Sequence, residues 1–204
     1  MQQRGLLNSN GRMSLKNDIS QKRRKKNDLP GKEVAYRLFI WLSENQPEFF
    51  EYYFGKYKTI KFEIIEEFRY GDIRITVDGV EYDCEVECRS NENFNGNFYE
   101  IGVYKSGVNV PIKHDIENAN GIFISLNEKE VAECISEKNT ILKSNPLPKG
   151  FIIILTEIIQ NSRLENPPLK NGQVDPDNCD KKYKVPHNQT KKYGFDGKKF
   201  TVYN

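Results

Sequence analysis

The stretch GDIRITVDGVEYDCEVECR, residues 71–89, decides how this chain is read. Asp78-Gly79 lies in its middle, between two segments that alternate apolar and polar side chains. That dipeptide favours a two-residue type I′ turn, because both central positions need positive φ. The turn fixes a register in which Val77 faces Val80, Ile75 meets Tyr82 and Ile73 meets Cys84. Val86 and Cys88 continue that face, which is apolar and belongs against a core. On the opposite face Thr76 meets Glu81, Arg74 meets Asp83 and Asp72 meets Glu85, with Glu87 two residues further along the same side.

Asp72 opposite Glu85 is an unusual pairing. Like charges about 5 Å apart across a hairpin repel by a few kcal/mol at an effective dielectric of about 20, and Glu87 adds to the repulsion. Three convergent carboxylates call for protonation, for basic neighbours or for a hard cation, and oxygen-only donors suit Mg2+, Mn2+ or Ca2+. A metal is the economical reading. The competing one is a solvated acidic face neutralised by Lys61, Arg69, Arg74 or Arg89.

Working outward, Ile60, Phe62 and Ile64 alternate with Lys61 and Glu63, which predicts another strand just before the hairpin. Upstream, Asp28 can cap and Pro30 suits a first helical turn. Val34, Leu38, Trp41 and Leu42 then recur at helical spacing through Asn45. Pro47 opens a second helix with Phe49, Phe50, Tyr53 and Phe54 on its apolar side, closing at Gly55. Those aromatics read as core before they read as a stacking platform. Downstream come short strand candidates at Phe98–Lys105 and Val108–Ile112, then a buried strand at Gly121–Leu126. A helix is predicted over Glu128–Lys143, carrying Val131, Ala132, Ile135 and Ile141, and a further buried element at Phe151–Leu155. The predicted class is α/β (α+β): N-terminal helices, a three-stranded antiparallel meander, then a helix and buried strands in a mixed sheet.

Length and charge bound the organisation. A chain of 204 residues with 37% hydrophobic residues holds one domain with extensions, and a mean hydropathy of −0.73 assigns much of the remainder to surface and loop. Residues 1–28 are expected to be a flexible basic arm, with Lys22, Arg23, Arg24, Lys25 and Lys26 as one block. Residues 29–165 are the catalytic-sized domain, and residues 166–204 a polar, Pro- and Lys-rich extension with a small hairpin around Asp196-Gly197. Net charge is only +2, but it is arranged as basic ends around an acidic centre, which suits gripping a polyanion and holding a cation; two solvated tails around an ordinary acidic surface fit the same pattern. The four cysteines come without an apolar leader, and Cys84-x-x-x-Cys88 is not a zinc-knuckle spacing, so reduced thiols in an intracellular, non-secreted protein are expected. A nuclear setting would suit the basic block. Apolar runs such as Phe151–Leu155 stop far short of a membrane span.

Asp72 at the start of one strand, followed after a short hairpin by Glu85-Val86-Glu87 on the next, resembles the metal motif of the PD-(D/E)xK nuclease superfamily. The order of elements, helix then three antiparallel strands, agrees over residues 30 to 90 with that restriction-endonuclease-like core. Gly71 stands where the family has Pro, and Glu87 where it has Lys, giving a Glu-x-Glu variant. The resemblance implies a Mg2+-dependent endonuclease, with Mn2+ as a substitute, in which Asp72, Glu85 and Glu87 hold the ion or take the proton. It leaves the Lys role to a residue such as Lys105 or Lys113. Some members add a helix carboxylate, for which Glu33 is the candidate, although Glu33 also reads as a first-turn acid complementing the helix dipole. Glu66 and Glu67 carry a similar ambiguity.

Lys113 and His114 form a basic turn that could touch phosphate, as could the block Lys22–Lys26. His114 and His187, far apart in sequence, give no His-based nucleophile signature. The partner expected is DNA, without a choice against RNA, and a double-strand cut would call for a homodimer. The alternatives are a catalytically inactive nucleic-acid-binding module, or a protein-interaction module, on the same fold.

Overall fold

Helix α1 spans residues 30–45 and turns one stripe inward: Val34, Ala35, Leu38, Phe39 and Leu42 are all buried. The computed structural model describes residues 30–65, 71–90, 98–102, 120–135, 147–165 and 182–203, so the expected cap at Asp28 lies outside the described residues. Helix α2, Glu48–Phe54, follows after Gln46 and Pro47 and ends at Gly55, whose φ of 79° closes it. Phe49 and Phe50 are buried and Tyr53 and Phe54 pack beside them, so these aromatics are core.

Strands β1 (Ile60–Ile64), β2 (Ile73–Val77) and β3 (Val80–Arg89) form the expected meander. The register is the expected one from Val77↔Val80 to Ile73↔Cys84. Asp78 and Gly79 take φ of 47° and 87°, the pair of positive values a type I′ turn needs. The Asp78 carboxylate also accepts from the backbone N–H of Lys58 at 3.0 Å and of Thr59 at 2.7 Å, tying the turn to the start of β1.

The remaining elements are β4 (Phe98–Gly102), β5 (Gly121–Asn127), α3 (Glu128–Glu133), β6 (Gly150–Leu155), α4 (Thr156–Gln160), β7 (Arg163–Glu165), β8 (Lys182–Pro186), β9 (Lys191–Phe195) and β10 (Phe200–Tyr203). A seven-stranded sheet runs in the order β1-β2-β3-β5-β6-β9-β10, and a three-stranded sheet in the order β4-β8-β7. Within the larger sheet β3 and β5 are parallel and the other pairs antiparallel. The protein is therefore an α+β fold on a mixed sheet. The parallel pair begins at a tight crossing: a Cβ on Gly121 would collide with the Asp83 backbone, whose N and carbonyl C both lie 2.9 Å away.

Both faces of the central strands are covered, which is why apolar residues dominate β5 and β6 without a regular polar alternation. Ile122, Ile124, Leu126, Phe151 and Ile153 join α1 and α2 in the main core. Phe123, Ile152 and Ile154 face the other way, against Tyr99, Ile101, Tyr183 and Val185 of the small sheet and Ile159 of α4.

Two expectations need correction. The helix predicted over Glu128–Lys143 closes at Glu133 with Cys134 as its C-cap, and Ile135 makes a β-bridge and packs on the main core; Ile141 lies outside the described residues. The extension from residue 166 is not an appendage to the sheet, since β9 and β10 complete it and Tyr193 and Phe200 are buried in its core. The hairpin at Asp196-Gly197 is present, with the Asp196 carboxylate accepting from the N–H groups of Lys198 and Lys199, both at 2.9 Å.

Candidate functional site

Gly71 turns the chain into β2 with φ of +80°, a conformation open to glycine and strained for other residues. As a result the β2–β3 ladder stops at Ile73↔Cys84 and does not run on to Asp72. The Asp72 N–H donates to the Cys84 carbonyl, and the Asp72 carbonyl accepts from the Ile65 N–H, both at 2.9 Å. The carboxylate then takes over the ladder: its Oδ2 accepts from the Val86 N–H at 2.9 Å. It therefore lies in the plane of the sheet, in the place of the next backbone acceptor. Asp72 thus leaves the regular register that would set it directly opposite Glu85, and its carboxylate bonds the backbone of β3 at the next residue.

Its other oxygen is met from α1. Lys32 Nζ lies 2.6 Å from Asp72 Oδ1 and also reaches the Ile65 carbonyl at 3.4 Å. The close approach of the helix depends on Gly31, where a Cβ would sit 2.5 Å from Cys88 Sγ. Helix α1 thus brings the Lys32 ammonium to Asp72, and the half-buried Glu33 follows Lys32 in the same helix.

Glu85, Glu87 and Arg89 share the other face of β3 by strand alternation. Arg89 Nε donates to Glu87 Oε2 at 2.9 Å, and its Nη2 donates to the same oxygen and to the Glu100 carbonyl. The guanidinium also lies 4.7 Å from the centre of the Tyr99 ring and is only 8% exposed. Tyr99 is fully buried, and burial pushes its phenol up to about 12, against the opposing pull of Ser125 and Arg89. Cys84, on the apolar face of β3, is fully buried in the main core. Burial pushes its thiol well up, and the negative charges of Asp72, Glu85 and Asp83 push it further. Arg74, a candidate neutraliser, leans along the sheet instead, 3.4 Å from Glu81 and 4.0 Å from Glu63.

Among the described residues no group of three or more His, Cys, Asp and Glu side chains is placed to hold a metal ion together. The set Asp72, Glu85 and Glu87 is divided by the sheet: Asp72 lies in its plane, and Glu87 is drawn towards β4. The residues that could offer oxygens to a hard cation are Asp72, whose carboxylate accepts from the Val86 N–H, and Glu85, the residue before Val86; Mg2+ is commonly held by one or two carboxylates with water and substrate oxygens completing its shell. Lys105, Lys113, His114, Glu66, Glu67, Arg69 and the block Lys22–Lys26 lie outside the described residues. No described helix is long and apolar enough to cross a membrane.

Two basic neighbours of these carboxylates differ in how far the sequence signals them. Arg89 shares the parity of Glu85 and Glu87 and was among the expected neutralisers. Lys32 lies forty positions before Asp72, and nothing local in the sequence signals their contact. No family model, curated protein or solved structure matches this chain.

Proposed function

We propose that the protein is a Mg2+-dependent endonuclease that hydrolyses phosphodiester bonds in DNA, of the PD-(D/E)xK kind, with Asp72 and Glu85 as its metal-holding carboxylates. The observation that carries this reading is the anchoring of the Asp72 carboxylate on the Val86 N–H, beside Glu85. It is supported by the arrangement around it: a helix, then three antiparallel strands, then β5 lying parallel to β3, an order in keeping with the core that the motif resembles.

The metal, when bound, polarises a phosphate oxygen and lowers the pKa of a bound water. The chain's own residues do the rest. Asp72 and Glu85 supply negative oxygen donors whose approach the hairpin fixes. Lys32, 2.6 Å from Asp72, stands in for the motif's Lys and offers its ammonium to the charge that develops on phosphate. Glu87 is left with two roles, ligand or proton acceptor. Basic segments at both ends add salt-sensitive affinity for the DNA backbone, and a double-strand cut would use two copies related by a two-fold axis.

A second reading rests on a specific observation. Lys32 on Asp72 and Arg89 on Glu87 already neutralise two of the three carboxylates, as they would in a non-catalytic nucleic-acid-binding or protein-interaction module. Incubation of supercoiled plasmid with the protein, with and without Mn2+, separates the two. The nuclease reading expects metal-dependent nicking or linearisation that Asp72→Ala and Glu85→Ala both abolish. Cleavage that survives Glu85→Ala, or a protein that retains DNA in EDTA yet never cuts, refutes it.

A further inference from the structure

We propose that strand β1 is a docking edge for a second copy of this chain. Two molecules pair β1 against β1, antiparallel, about a two-fold axis at Phe62, and so join their large sheets into one. The proposal goes beyond the nuclease reading and does not depend on a metal.

The two edges of the large sheet are finished differently. At β10 the outward backbone of Phe200 is taken by Gln46, whose side chain accepts from its N–H at 2.9 Å and donates to its carbonyl at 2.7 Å. That amide stands where a further strand would be. At the other edge β1 pairs with β2 alone among the described residues. The Thr59 carbonyl accepts from the Asp78 N–H and the Ile65 N–H donates to the Asp72 carbonyl, so the odd-numbered residues turn their backbone towards β2. By alternation Ile60, Phe62 and Ile64 turn their N–H and C=O groups away from it. This strand of five residues holds no Pro or Gly, and its register with β2 is unbroken, so it lacks the devices that commonly blunt an edge. It is also firmly held, since the Phe62 ring packs 5.6 Å from Phe39 and 5.2 Å from Phe50.

The side chains select the partner. Lys61 and Glu63 are exposed on one face, while Ile60, Phe62 and Ile64 are half-buried on the other. Glu63 is 68% exposed and its contact with Arg74 is 4.0 Å long, which leaves its carboxylate accessible. A strand added here must set outward-turned residues opposite one another. Centring the pairing on Phe62 does so: Phe62 meets Phe62 of the second copy, Ile60 meets Ile64, and Lys61 meets Glu63 on each side of the axis. The Lys61 and Glu63 pairs are then the non-hydrogen-bonded ones, where side chains approach most closely. Moving the centre one residue either way sets Lys61 against Lys61 or Glu63 against Glu63, and like charges directly opposite repel. The sequence Ile-Lys-Phe-Glu-Ile is thus complementary to itself when read antiparallel. Because Gln46 closes the far edge of the sheet, association through it stops at two.

Sedimentation velocity of the full chain, in EDTA and without nucleic acid, tests the proposal over about 1 to about 300 μM, a range suited to a small interface. Wild type is expected to pass from monomer to dimer and no further. Lys61→Glu and Glu63→Lys each place like charges across the axis and are expected to weaken association roughly ten-fold or more. Both positions are exposed, and the thermal melts of both variants should match wild type. An equimolar mixture of the two variants is expected to dimerise again, because every cross-strand charge pair is then opposite in sign; the double variant should do the same. A wild type that stays monomeric throughout, or that grows beyond a dimer, overturns the proposal. So does either single variant dimerising as wild type does, or a mixture no better associated than its components. None of these outcomes bears on the nuclease reading, which the plasmid assay decides separately.

Discussion

The Lys32–Asp72 contact supplies a quantitative test of whether this carboxylate serves structure or a metal. The two side chains are 19% and 17% exposed and their charged atoms are 2.6 Å apart. At an effective dielectric of about 20, two unit charges at that separation attract by roughly 6 kcal/mol before desolvation. Taking both ions largely out of water costs several kcal/mol each in a dry interior and less at this partial exposure, so the net coupling should be about 1–2 kcal/mol. A double-mutant cycle of Lys32→Met and Asp72→Asn measures it by urea denaturation, followed through Trp41, the single tryptophan, whose ring packs edge-on against Phe195 and Phe200, both at 5.7 Å. Asparagine keeps an oxygen for the Val86 N–H, so the cycle isolates the ion pair. In EDTA the coupling should have that magnitude. In saturating Mn2+ it should fall below about 0.5 kcal/mol, because the ion and the ammonium compete for the same carboxylate. A coupling that persists unchanged in Mn2+ refutes the reasoning and assigns Asp72 to structure.

Two further outcomes follow from geometry outside the site. Gln46 clasps the backbone of Phe200 in both directions, accepting from its N–H at 2.9 Å and donating to its carbonyl at 2.7 Å, and is 8% exposed. Gln46→Ala strands two buried backbone groups and should cost about 2–4 kcal/mol, whereas the exposed Asn45→Ala should cost under about 0.5 kcal/mol; urea midpoints compare them, and a loss below about 1 kcal/mol for Gln46→Ala contradicts the clasp. His187 is held below its ordinary value of 6.5 by burial and by Lys192. The unfolded chain therefore takes up this proton first as pH falls, so the stability it protects is complete above about 6.5 and erodes below that value down to the folded pKa. Thermal melts between pH 7.5 and 5 should show that loss, and His187→Asn should flatten it.

Much of the fold was legible because its signals are local. The Asp78-Gly79 turn carries its own register, and one correct pair, Val77 with Val80, determines the hairpin down to Ile73. The runs at β5 and β6 are dominated by apolar residues because they are covered on both faces. Local pattern failed where a distant partner decides. Register arithmetic carries Asp72 onto the polar face, but the positive φ of Gly71 ends the ladder one residue earlier and turns the carboxylate into the sheet plane. Lys191 and Lys192 give β9 the look of a polar tail, although its pairing with β6 and Tyr193 at the core make it an integral strand. Lys32 became visible only when α1 was laid against β3.

The departure of β4 into the small sheet has a kinetic consequence. Strands β1, β2 and β3 are joined by short links and can zip from the Asp78-Gly79 bend within microseconds. Strand β5 can dock beside β3 only after roughly thirty intervening residues have been closed into a loop whose own strand pairs elsewhere, and β9 must cross a longer interval to reach β6. Early species should therefore hold a formed hairpin whose inner edge, the one carrying Glu85 and Glu87, is still unpaired and available to another chain, until the centre of the sheet assembles in the slow step.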